Sequence, residues 1–107
     1  MSKFIFLSFV MLYSSFALAG TATGKITTIF IADGSSAVLF KLDSRIQDTP
    51  RCNEAKRFSI ELRKPGGTAA YMAILEAKRE KYQVSVEGLN TCTNEWKSED
   101  IKAIILN

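Results

Sequence analysis

Three features of the chain predict a mainly β domain with a single helix. Short segments rich in β-branched and aromatic residues recur between turn signals, at residues 24–32, 37–43, 58–63, 82–88 and 101–106. One stretch, AAYMAILEAKRE from Ala69, instead has the composition of a helix and falls between the third and fourth of those strands. The chain, at 107 residues, has room for one domain only.

The amino terminus reads as an export signal over residues 1–19. Met1-Ser2-Lys3 is a short positive start, and Phe4 to Phe16 is an apolar run broken only by serines and one tyrosine. Ala17-Leu18-Ala19 then offers the small-x-small pattern that a signal peptidase reads. About 15 apolar residues fall short of the roughly 20 that span a bilayer. Cleavage after Ala19 is therefore expected, with a retained anchor as the alternative. Gly20, not cysteine, follows the cut, so no lipid is expected at the new terminus. The mature domain would be residues 20–107, periplasmic or secreted, and the style of the signal is bacterial. Much of the 47% hydrophobic content belongs to this leader.

GKITTIFIA, residues 24–32, is the first strand, and Asp33-Gly34 supplies the freedom for a tight reversal. AVLFKLD, residues 37–43, places Val38, Phe40 and Leu42 on one face. Residues 44–56 carry Asp48, Thr49 and Pro50 without an apolar period and read as a long loop. The third strand alternates most clearly: Phe58, Ile60 and Leu62 face the core, and Ser59, Glu61 and Arg63 face solvent. Lys64-Pro65-Gly66-Gly67 ends it, and Thr68 is the expected helix N-cap. On the helix, Tyr71, Ile74, Leu75 and Lys78 share a face, leaving Glu76, Arg79 and Glu80 in water. Lys78, Arg79 and Lys81 complement the dipole at its carboxyl end. YQVSVEG, residues 82–88, alternates again, with Tyr82, Val84 and Val86 inward. A loop from Leu89 to Asp100 holds Cys92 and Trp96, and IKAIIL, residues 101–106, is the last strand.

Export changes the meaning of the two cysteines. In an oxidising compartment an even count points to pairing, and two cysteines permit one intramolecular bridge, Cys52–Cys92. Two free thiols or a metal pair are the alternatives, and without histidine a metal site has little to complete it. A bridge there would close a loop of roughly forty residues, worth roughly 4 kcal/mol in the chain-entropy model.

Strand, strand, strand, helix, strand, strand is the order of the OB-fold, a five-stranded Greek-key barrel. Closing the strands hides their edges, and the helix plugs the end left open between strands three and four. An open α+β sheet with the helix on one face is the competing arrangement.

With GKITTIFI, a cysteine ahead of FSIEL, GGTAAYMAILEAKREKYQVSVEG and Cys92 before a closing strand, the chain resembles the B subunits of bacterial AB toxins. These are enterotoxin-like OB-folds, and the likeness extends to small exported proteins of marine and enteric bacteria. It is architectural and spans most of the mature chain. It implies glycan binding at cell surfaces and a homo-oligomer, the toxin subunits being pentamers. No sugar-binding motif matches residue for residue, so no ligand contacts are transferred.

Catalysis is not expected. With no histidine, the Ser-His and Cys-His nucleophile systems are absent, and no Gly-x-Ser-x-Gly elbow or calcium loop occurs. Pro65-Gly66-Gly67-Thr68 lacks the lysine of a phosphate loop and reads as a strand-to-helix turn. Glu76 and Glu80 could pair near a substrate, which keeps a small hydrolase as the third reading, but a solvated helix face accounts for them. No catalytic residue, metal site or cofactor is assigned. Nucleic acid is not an expected partner: the third strand shows no outward aromatic, and 14 basic against 11 acidic residues is a weak excess.

Recognition surfaces remain. Trp96 lies in the loop between the last two strands, one that OB-folds use for ligands, and the bridge would bring it towards Cys52 and Arg51. The expected ligand site is Trp96 with Arg51, Lys56 and Arg45; Arg57 belongs to the same basic stretch. The competing roles are a tryptophan that caps the barrel or covers the disulfide, and basic residues that only solvate their loop. The expected function is an exported, non-catalytic recognition module that binds a glycan, or alternatively a periplasmic protein that it blocks or scaffolds.

Overall fold

The computed structural model describes residues 19–107; the expected leader lies outside them apart from Ala19. The order is β1 (Thr21–Ile31), β2 (Ala37–Leu42), β3 (Phe58–Glu61), α1 (Gly67–Glu80), β4 (Gln83–Gly88) and β5 (Glu99–Leu106). The strands form a closed ring in the order β1-β2-β3-β5-β4, with β4 returning to β1. All pairs are antiparallel except β3 with β5. Five strands and one helix between β3 and β4 match the expected class.

The ring is held by one long strand and closed by a short contact. β1 pairs β4 through Thr21–Lys25 and β2 through Ile26–Ile31, so it spans the corner of the ring. An irregularity between Ile26 and Thr28 bends it there. At the other side β3 and β5 share only Phe58↔Glu99 and Ser59↔Asp100. Beyond those pairs they diverge, so the ring is not strictly a barrel.

The core fills the ring. Ile26, Val38, Phe40, Phe58, Ile60, Val84 and Val86 are buried there, with the Phe40 and Phe58 rings 5.7 Å apart. The helix lies across the gap between β3 and β5 and contributes Ile74 and Ala77, with Ala70 and Tyr71 half-buried. This differs from the expected face. Leu75 is 43% exposed, and the small residues Gly67 and Ala77 point inward instead. The cause is close approach: a Cβ at Gly67 would fall on the Glu61 carbonyl. Gly66, with φ 82°, starts the helix in place of Thr68, and no side chain caps it.

The third strand departs further from its reading. Ser59 is fully buried and Glu61 nearly so, although their alternation pointed them to solvent. They lie on the outer face of the ring, and that face is covered. Leu39, paired with Ser59 across the sheet, is buried there as well. Tyr82 precedes β4 and is 43% exposed, not part of the core.

Candidate functional site

The outer face of β3 and β5 is covered by the loop of residues 89–98, whose Asn94 Nδ2 donates to Ser59 Oγ at 3.3 Å, and the loop of residues 43–57, with Ile46 against the core, is joined to it. Each is organised by one buried polar side chain. In the loop of residues 43–57, Asn53 donates from Nδ2 to Thr49 Oγ1 at 3.0 Å and accepts at Oδ1 from the Arg57 N–H at 3.1 Å. In the other, Asp100 receives the hydroxyls of Thr91 and Thr93 at 2.6 Å each, the Thr93 N–H, and the Asn94 N–H at 2.8 Å. Ser59 adds a hydroxyl from β3 at 3.3 Å.

These donors determine the state of the Asp100 carboxyl. Burial is the largest single influence and pushes its pKa up. The Thr91 and Thr93 hydroxyls and the backbone N–H groups of Asn94 and Thr93 pull it down, and together they prevail, leaving it below its ordinary value. Glu61, at the far end of β3, is lowered to about 2 by the Arg63 guanidinium first, then the Ser36 hydroxyl and the Arg63 N–H.

The loops are joined to each other. Cys52 and Cys92 form the expected disulfide, with their Cα atoms 6.1 Å apart. Arg57 Nε donates to Ser98 Oγ at 2.6 Å, the Ala55 N–H donates to the Lys97 carbonyl at 3.0 Å, and Lys97 Nζ lies 3.7 Å from the Glu54 carboxylate. Two connections that would each be mobile alone thus behave as one layer.

Trp96 projects from this layer. It is 73% exposed, and its flanks are fixed. Glu95 accepts from the Ser35 hydroxyl at 3.0 Å and from the Trp96 N–H at 3.1 Å, tying the tryptophan to the β1–β2 turn. Lys97, in the left-handed region at φ 61°, turns the chain and sets its ammonium 4.1 Å from the indole centroid. The indole therefore neither caps the ring nor lies buried over the disulfide.

The other expected site residues divide. Arg45 and Lys56 line one hollow of about 530 Å³ with Ser44, Ile46 and Thr49, and Trp96 is not in its wall. Arg51 is exposed beside Cys52. The cation at the indole is Lys97, outside the expected set.

Phe30 was also missed. Ala22, Gly24 and Ile26 are buried on β1, so strict alternation would send Phe30 inward. The irregularity after Ile26 reverses the phase: Ile29 turns to the core and Phe30 is 49% exposed. The Arg57 guanidinium stands 6.0 Å from its ring, and both line a hollow of about 230 Å³ with Thr28, Leu39 and Lys41. A bulge inside an apolar β-branched run leaves no mark in composition, so no signal in the chain announced it. A third hollow, about 360 Å³, follows the divergence of β3 and β5 and is walled by Ile60, Ala70, Ala73, Ile101 and Ile104.

Among the described residues no cluster of side chains suited to a metal forms, and no helix is long and apolar enough to cross a membrane. The disulfide is consistent with an oxidising compartment outside the cytoplasm. Compared with family models, with curated proteins and with solved structures, the chain matches none.

Proposed function

We propose that the protein is an exported, non-catalytic recognition module that binds a glycan through the loop end carrying Trp96. The observation that carries this reading is a 73% exposed indole on a loop whose anchors are all fixed. An exposed tryptophan offers a large, rigid face whose burial against a ligand is favourable. Its setting suits a sugar: the Lys97 ammonium lies over one face of the indole, the opposite face is left for the C–H side of a pyranose, and the Glu95 carboxylate is close by for its hydroxyls. The ordering of the loop is part of folding, so little of it is lost again on binding.

The architectural likeness to the B subunits of bacterial toxins supports the same reading, and the leader supports delivery to the periplasm or beyond. The test is a glycan array probed with the purified exported protein and with Trp96→Ala. Binding to a restricted set of glycans, reduced at least tenfold by the substitution, is expected. No binding, or binding indifferent to Trp96, overturns the proposal.

A further inference from the structure

Glu99 opens β5 with its side chain fully buried. Its Oε2 accepts from the Gly20 N–H at 2.9 Å and the Asn90 N–H at 3.0 Å, and its Oε1 has no partner among the described residues. No lysine or arginine pairs with it among the described residues: Arg57, whose backbone carbonyl accepts from the Glu99 N–H, donates from its guanidinium to Ser98. A buried carboxylate facing only two amides, with one oxygen orphaned, is an expensive arrangement. The space around it is nonetheless made for it. A Cβ at Gly20 or at Gly88 would fall on the Glu99 carboxyl, and the two glycine backbones close over it through the Gly88 N–H and Gly20 carbonyl at 2.8 Å.

Gly20 is also the residue that follows the expected cut. We propose that leader removal after Ala19 creates the missing partner, and that the α-ammonium of Gly20 forms a buried ion pair with Glu99. This rests on the leader reading and is independent of the glycan proposal. In the hydrolysis, water adds across the Ala19–Gly20 amide: its oxygen goes to the Ala19 carbonyl carbon, giving a carboxylate. Its two protons join the nitrogen, which leaves as NH3⁺. A nitrogen with one N–H becomes a cation with three, already 2.9 Å from Oε2 and beside the orphaned Oε1.

The placement also orders events. Gly20 is buried, and Thr21 is clamped by paired backbone bonds with Gln47 at 2.8 and 2.9 Å. A peptidase needs that bond extended and open, so cleavage precedes closure of the ring. The ring then closes on a terminus that only the processed chain possesses.

The test uses the full chain expressed with its leader and purified after export. Intact mass and amino-terminal sequencing are expected to give Gly20 as the first residue; any other start overturns the proposal. An amine-acylating reagent is then applied to the folded and the urea-unfolded protein. The Gly20 amine is expected to label at least tenfold more slowly when folded, and equal labelling overturns the pairing. One serine inserted between Ala19 and Gly20 turns the ammonium back into an amide. It is expected to lower the melting temperature by roughly 5–10 °C in the parent and to have little effect in Glu99→Gln. Equal losses in both backgrounds overturn the pairing, and if Glu99→Gln does not fold, the labelling decides.

Discussion

Asp100 shows how one side chain can specify a loop that has no regular structure. Replacing it by alanine leaves the Thr91, Thr93 and Asn94 donors without their acceptor, while the Ser59 hydroxyl keeps the Glu99 carbonyl. The expected cost is about 3 kcal/mol, read from the shift in urea midpoint. Acid should act through the same group. A carboxyl held below its ordinary value in the folded state stabilises the fold above its unfolded pKa, and that contribution is lost as pH falls through the folded value. For Asp100 the loss therefore starts near 3.8 and runs downward. Glu61 adds a parallel loss between 4.5 and about 2. Stability should hold from neutrality to about pH 4.5 and fall below it, and Asp100→Asn should flatten the lower part of that fall. An acid limb unchanged in Asp100→Asn would remove Asp100 from the account. None of this was legible in the chain, where Asp100 closed a loop and Ser59 belonged to a wet face. Alternation reports which face a side chain is on, and this face of the ring is dry because a loop remote from β3 in sequence lies over it.

At the scale of elements, the helix was found but its rotation was not. Tyr71, Ile74, Leu75 and Lys78 repeat at helical spacing, but so do Gly67, Ala70, Ile74 and Ala77. Apolar bulk favours the first set; the distance between helix and ring decides for the second, because at Gly67 only glycine lets the helix backbone come close enough to the Glu61 carbonyl. Two substitutions separate the faces. Ile74→Ala, inside the core, should cost about 3 kcal/mol, while Leu75→Ala, at 43% exposure, should cost about 1 kcal/mol or less. Comparable losses in thermal unfolding would return the helix to the face first expected. The strands were located to within a few residues, since β-branched runs and Asp33-Gly34 are local signals. The phase of β1 beyond Ile26 was not, since a bulge is a property of pairing and not of the run.

The described residues form a ring closed at its weakest point by two residue pairs between β3 and β5, and the two loops that lead into those pairs are stitched together. Element order alone pointed to this closure; the narrow β3–β5 contact and the dry outer layer depend on tertiary packing and had no local trace. The Cys52–Cys92 bridge sits in that layer, 40 residues apart in sequence, and its removal frees the unfolded chain by roughly 4 kcal/mol in the entropy model. For a domain of this size that should lower the melting temperature by more than about 10 °C on reduction. The loss should not be uniform. The reduced layer keeps the Arg57–Ser98 and Ala55–Lys97 bonds but loses its covalent tie at Cys92, next to Thr91 and Thr93. In hydrogen exchange, the amides of Thr93 and Asn94 should therefore open before the β1–β2 ladder does. Because Trp96 hangs from the same loop, the reduced protein at room temperature should still be folded, and under the proposed function it should bind glycan more weakly. A reduced form with an unchanged midpoint, or one that loses the ladder and the loop together, would mean that the bridge does not organise the layer.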